Sequence, residues 1–303
     1  MAQQTFWPDG ARLAITISLG FEGTSQPISG AGGPITEPIQ PGYPDLPTNT
    51  FFEYGMREGV PRLLELYDRT GIKVSAYMVG EAVDGNPDLA REVARRGHEC
   101  VAHGERWEAQ YALPPDEERA FIRSGMKSVE RATGQRPIGY NCYWLRGSVH
   151  TLEILQSLGF IYHVDDVSRD EPFTQRINGQ PFVTVPYTLH LNDIVSFNFT
   201  NYSPSDHLQV LKDEFDQLYA EAATRRRMMV ISNHDRISGR PARIRALESF
   251  IRYAQSQPGV VFMRKDDIAM WALQTPDITP LVDRAPAEIS GLPGPARHAP
   301  VPV

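Results

Sequence analysis

The reactive side chains of this chain stand in a few short runs. Glu22 follows an apolar stretch that ends at Leu19-Gly20-Phe21, and His103 follows Val101-Ala102. Asp165 and Asp166 follow Tyr162-His163-Val164, and Asn233, His234 and Asp235 follow Val230-Ile231-Ser232. Each polar group comes directly after branched or apolar residues, the pattern of a side chain delivered by the end of a buried strand. A carboxylate and two imidazoles hold what amide hydrolysis requires. Water must lose a proton, the carbonyl oxygen must be stabilised as charge develops, and the departing nitrogen must gain a proton. Taken singly, each residue has a plainer reading: a satisfied structural histidine, a loop or turn cap at Glu22 or Asp165-Asp166, an ion pair at Glu105-Arg106. Recurrence at successive strand ends favours a shared site.

The elements that must position these groups alternate along the chain. Residues 12–19, 73–79, 99–102, 137–140, 160–164, 182–186, 228–232 and 260–263 read as strands. Helical spacing runs over 58–69, 86–96, 114–133, 148–158, 205–225, 241–256 and 266–273, with Gly71, Gly97 and Gly159 as stops and Ser203 or Ser205 as a cap. Alternation of this kind predicts an α/β fold with mostly parallel strands, an irregular (β/α) barrel over residues 1–275 as a single domain. In such barrels the chemistry sits at the C-terminal ends of the strands. Residues 26–49 are rich in Pro and Gly and predict a long loop over the mouth, and residues 276–303 predict an irregular Pro-rich tail, an arm for a neighbouring subunit.

The 303 residues carry a net charge of −7, which argues against nucleic acid or an anionic membrane surface as partner. Arg225-Arg226-Arg227 reads as a solvated helix end. Two cysteines, Cys100 and Cys142, are too few for a disulfide scaffold and too far apart for a CxxC site. No signal peptide is visible and no apolar stretch is long enough to span a bilayer, so a cytoplasmic protein is expected.

Several segments, taken in order, resemble the polysaccharide deacetylase superfamily, and within it the metal-independent, allantoinase-like branch. They are Phe52-Glu53-Tyr54-Gly55, Ala102-His103-Gly104-Glu105-Arg106-Trp107, Gly134-Gln135-Arg136-Pro137-Ile138-Gly139, Val185-Pro186-Tyr187-Thr188-Leu189 with Asn192-Asp193, and His234 with Gly239-Arg240-Pro241-Ala242-Arg243. The resemblance spans residues 6–271 and implies that family's barrel. Metal-dependent members place two Asp at the first strand end, one of them a metal ligand, and two ligand histidines four residues apart. The matching positions here are Glu22 and Gly23, then His103 and Trp107. Glycine has no ligand atom and an indole N–H is only a donor, so the resemblance implies neither metal nor other cofactor.

The resemblance assigns Glu22 or His103 to deprotonating water, His103 also to the oxyanion, His234 to the leaving nitrogen, and Arg136 and Asp165 to orienting catalytic groups. Trp107, Tyr140, Tyr143 and Trp144 are expected to wall the pocket, with Glu53 and Asn233 as further binding candidates. The expected partner is a small cyclic amide, imide or ureide. Gly23 and Asp235 depart from the allantoinase pattern, so allantoin itself is not fixed as the substrate. Relatives of this branch imply a homo-oligomer, a tetramer. Two other readings are a metal-dependent sugar de-N-acetylase and a non-catalytic binding protein on a degenerate barrel.

Overall fold

The computed structural model describes residues 5–33, 35 and 37–280. Its strands are β1 (Leu13–Phe21), β2 (Ser75–Met78), β3 (Glu99–Ala102), β4 (Gly139–Tyr140), β5 (Tyr162–His163), β6 (Phe173–Ile177), β7 (Gln180–Thr184), β8 (Arg227–His234), β9 (Val260–Phe262) and β10 (Thr279–Pro280). Between them lie the helices α1 (Leu46–Tyr54), α2 (Val60–Thr70), α3 (Gly80–Gly85), α4 (Pro87–Arg95), α5 (Pro115–Thr133), α6 (Thr151–Ser157), α7 (Pro204–Glu221), α8 (Asp235–Ser238), α9 (Pro241–Gln255) and α10 (Lys265–Gln274).

The sheet runs β10-β6-β7-β5-β4-β3-β2-β1-β8, and β9 also pairs with β1. All its pairings are parallel except β6 with β7. The curled sheet is the expected irregular barrel, left partly open. The segment after β7 reaches β8 through a single bridge, Asn192 with Ser232. The β6–β7 hairpin was not foreseen. Its turn, Asn178-Gly179, has positive φ at both residues (48° and 77°), as a two-residue turn between twisted strands requires.

Strand alternation sorts the side chains of β1 into two rows. Leu13, Ile15, Ile17, Leu19 and Phe21 face outward into an apolar layer shared with Leu63 and Leu64 of α2 and Phe250 of α9. The intervening residues Thr16, Ser18, Gly20 and Glu22 therefore face the barrel interior. In β8 the same rule sends Ser232 and His234 inward, and His103 continues the inward row of Val101 in β3. Period two thus carries Glu22, His103 and His234 to one end of one cavity.

The loop expected over residues 26–49 is shorter than read. Asp45 caps α1 by accepting the N–H of Thr48, 3.1 Å, so the helix begins at Leu46. The chain then passes through a π-helical turn, Gly55–Gly59, straight into α2. Both glycines face Asp235. A Cβ at Gly55 would lie 2.5 Å from the Asp235 carboxyl carbon, and one at Gly59 would lie 2.0 Å from the Asp235 carbonyl oxygen. At the other end of the chain, β10 extends the sheet beyond residue 275, and the rest of the tail, from residue 281, lies outside the described residues.

Gly59→Ala forces a methyl group into a backbone carbonyl that has no room to give. It is expected to lower stability by about 2–3 kcal/mol. Urea unfolding followed by circular dichroism should show a lower midpoint at unchanged slope; an unchanged midpoint contradicts the packing described.

Candidate active site

Glu22 is buried at the top of β1 and is the group around which the others gather. Its Oε2 accepts Nη1 of Arg236 at 2.8 Å. Its Oε1 faces two imidazoles, 3.5 Å from His103 Nε2 and 3.4 Å from His234 Nε2. Gly20 permits this approach, since a Cβ there would sit 2.9 Å from the His234 ring. Burial pushes the Glu22 carboxyl up. The charges of His234 and Arg236 and the two imidazole contacts outweigh that and hold it well below the usual carboxylate range.

Each imidazole is anchored from behind. His234 Nδ1 lies 2.6 Å from Asp193 Oδ1. Asp193 Oδ2 accepts the backbone N–H of His234 at 2.7 Å and the Ser238 hydroxyl at 2.6 Å. Burial works against a charged His234, yet Glu22 and Asp193 on its two sides push its pKa up to about 10. The ring is an imidazolium at neutral pH, with its Nε2–H toward the cleft. His103 Nδ1 lies 2.8 Å from the backbone carbonyl of Asn141. A carbonyl only accepts, so Nδ1 carries a proton and Nε2 faces Glu22.

Asp165 acts one step further back. Its Oδ1 accepts Asn141 Nδ2 and the N–H of Cys142, both at 2.9 Å, and so fixes the turn whose carbonyl holds His103. Asp235 does the same for β1. Its Oδ2 accepts the backbone N–H groups of Glu22 and Gly23, at 3.1 and 3.2 Å. Arg236 stacks over Phe52 and Trp107, 4.3 and 5.0 Å from the ring centroids.

The cleft above these groups comprises about 560 Å³ of free space including its open mouth. Trp107, Tyr143 and Trp144 wall it, with Tyr143 packed 5.5 Å from Trp107. Trp144 and Leu145 hold positive φ, 52° and 60°, two strained residues at the rim.

Four expectations need correction. Arg136 precedes β4 rather than following it, so it lies toward the opposite end of the barrel, where it donates to the Leu158 carbonyl. Tyr140 is wholly buried in the layer between β4 and α5, with its hydroxyl bonded to Gln110 at 2.8 Å. Glu53 pairs with Arg57 along one helix at 2.7 Å, outside the cleft. Asn233, by contrast, borders the cleft; its Oδ1 accepts from Ser238, 2.8 Å, and its Nδ2 has no partner. The long loop is the fourth correction: no described residue of 26–45 borders the cleft, whose rim comes from residues 141–145 and 187–194.

The sequence reading missed Asp193, Arg236 and Asn141. Arg236 sits two residues after His234, and i to i+2 proximity at a strand end was an available signal. Asp193 lies on an irregular segment that no periodicity reveals, and the Asn192-Asp193 pair entered only as a mark of the family resemblance, without a role.

A metal finds poor hosts here. Gly23 offers no side chain and its own Cβ position is filled by the Phe52 carbonyl, 2.7 Å away. Trp107 supplies no lone pair, and Glu22 is already taken by Arg236. Among the described residues no three His, Cys, Asp or Glu side chains are grouped to hold an ion.

The anchoring of His234 has a measurable sign. Its folded pKa, about 10, lies above the ordinary 6.5, so the fold binds this proton more tightly than the unfolded chain does. That stabilisation is complete below pH 6.5 and is lost as pH rises toward about 10. The Tm gap between the wild type and His234→Gln should therefore narrow across that range in thermal melts; a constant gap contradicts a charged His234.

The polysaccharide deacetylase family profile matches residues 48–163. A Pseudomonas aeruginosa PAO1 structure described as a probable polysaccharide deacetylase is 33% identical, over 89% of this chain and 94% of that one, with a TM-score of 0.81. PuuE allantoinase is 32% identical, over 90% of this chain and 94% of that one, with a TM-score of 0.82. A Schizosaccharomyces pombe protein of polysaccharide deacetylase type is 26% identical, over 89% of this chain and 93% of its own length. With this fold, this likeness and an acid–base cluster at its barrel mouth, the chain belongs to the polysaccharide deacetylase family of hydrolases.

Proposed function

We propose that this protein hydrolyses the carbon–nitrogen bond of a small cyclic amide, imide or ureide, without a metal. The observation that carries the reading is the three-way contact of Glu22, His103 and His234 at a site whose metal-ligand positions hold Gly23 and Trp107. The likeness to PuuE allantoinase supports the choice of a ring amide, and the walled cleft suits a small substrate better than a polymer.

The geometry divides the labour. A carboxylate held well below its usual range is a weak base. We assign the acceptor role to His103, whose Nδ1–H is committed to the Asn141 carbonyl and whose Nε2 takes the proton when its ring is in the neutral form. A water bonded to both Glu22 Oε1 and His103 Nε2 is oriented by the first and loses its proton to the second as its oxygen attacks the carbonyl carbon. The new carbon–oxygen bond pushes an electron pair onto the carbonyl oxygen. Collapse of that oxyanion breaks the carbon–nitrogen bond, and His234 Nε2–H protonates the departing nitrogen. The proton on His103 then restores His234 through solvent. Asp193 keeps His234 charged and aimed, which is what an acid for a poor leaving group needs.

Succinimide, hydantoin and allantoin, assayed with and without a chelator, test the proposal. The expected result is turnover of at least one of them, insensitive to chelation. Glu22→Gln and His234→Gln should each lower kcat by about 10²–10⁴-fold while remaining folded. Stoichiometric zinc whose removal abolishes turnover would overturn the metal-free mechanism. Near-normal turnover by Glu22→Gln removes that residue from it, and inertness toward every ring amide favours a binding protein.

A further inference from the structure

The floor of the cleft lies one inward step below the acid–base cluster. Ser18 of β1, Tyr77 of β2, Ser232 of β8 and Tyr187 form it. Three of their hydroxyls bond to neighbours. Ser18 Oγ bonds Ser232 Oγ at 2.9 Å, and Tyr187 Oη accepts from Asn192 Nδ2 at 2.8 Å. The Tyr77 hydroxyl has no hydrogen-bond partner although the residue is only 4% exposed. Ser18 lies beside it without closing a hydrogen bond of good geometry. In the wall above, Trp107 Nε1 is likewise buried and unpaired.

Orphaned buried donors are rare, because each loses its water without replacement. Three line this one cleft, Tyr77 Oη, Trp107 Nε1 and Asn233 Nδ2, and the first two flank the Glu22–His103–His234 cluster, where a ligand can supply their acceptors. Tyr77 stands on the His103 side, ring centroids 6.0 Å apart, and Trp107 on the Arg236 side.

We infer that the Tyr77 hydroxyl and the Trp107 indole N–H each bind a carbonyl oxygen of the substrate. The substrate is then a ring with carbonyls on both sides of the reacting nitrogen, as in cyclic imides and hydantoin-type ureides, rather than a simple N-acetyl amide with one. This rests on the proposed hydrolysis and narrows it. The attacked carbonyl meets one donor and the spectator carbonyl the other, so two-point binding turns the ring's face to the water held by Glu22 and His103. A site built around such donors discriminates strongly against an analogue that lacks an acceptor.

Tyr77→Phe tests the floor. It removes only an unpaired hydroxyl, so its Tm should equal or exceed that of the wild type. With succinimide or hydantoin its KM should rise about tenfold, with a smaller change in kcat. Trp107→Phe should also raise KM. A lower Tm for Tyr77→Phe means that the hydroxyl was already bonded within the fold, and it overturns the inference whatever the substrate. Unchanged KM and kcat overturn it too. If the wild type hydrolyses none of the probes, the proposed function fails on its own account. Calorimetric binding of succinimide and hydantoin then decides the inference: about tenfold weaker binding to Tyr77→Phe supports it, and equal or absent binding overturns it.

Discussion

A carboxylate sealed in a barrel is stable as an anion only if positive charge meets it there, and Glu22 is met by Arg236 and the His234 imidazolium. The rest of the upper barrel is arranged around that requirement. The barrel interior supplies its own contrast in Glu99 and Lys265. Both are buried, and burial prevails in each: the Glu99 carboxyl is pushed up to about 7 and the Lys265 amine down to about 7. Hydroxyls and a backbone N–H surround the Glu99 carboxyl, from Ser75, Tyr162 and Asp266. Glu22 differs because a guanidinium touches it. Contact with a cation, not depth, separates the ionised acid from the one near neutrality.

Holding the cations in place takes several backbone devices. Asp235 ties the end of β8 to the end of β1 by accepting the N–H groups of Glu22 and Gly23. The π-helical turn brings Gly55 and Gly59 against Asp235 where no larger residue fits. A π turn inside a helix has a local energetic penalty and is retained chiefly where a site needs the altered direction. Gly20 does the equivalent inside the barrel, leaving room for the His234 ring over β1. The same short stretch that carries the acid–base residues thus carries the glycines that let them meet.

The sequence disclosed the parts of this design that obey a period. Strand β3 was read with its bounds unchanged, and α5 and α9 to within a residue or so, because apolar spacing and Gly stops are local signals. Glu22, His103 and His234 were legible for the same reason: each ends an alternating run. Arg136 was assigned by resemblance alone, although it precedes the strand read at 137–140 and so lies at the other end of it. Tyr140 looked like a wall residue because β4 is only two residues long, too short for alternation to tell inside from outside. Asp193 left no trace in the pattern, since its value lies in a contact with a residue forty-one positions away.

The charge arrangement also bears on the proposed metal-free hydrolysis, in which Gly23 and Trp107 stand where the family's resemblance places metal ligands. A divalent ion in a hydrolase supplies positive charge that polarises a carbonyl and makes bound water acidic. Here Arg236 and His234 together bring two positive charges beside Glu22, but both are hydrogen-bonded donors rather than an open coordination site. They can stabilise an anion and deliver a proton; they cannot lower the pKa of water by direct bonding. In the proposed mechanism the burden of activating water then passes to His103, whose Nδ1–H is pinned to the Asn141 carbonyl and whose Nε2 faces Glu22. Reactivity of this kind suits an activated ring amide, whose leaving nitrogen is stabilised by a second carbonyl, better than an unactivated acetamide. The chemistry proposed for the cluster and the unpartnered donors of the cleft agree on the same proposed class of substrate.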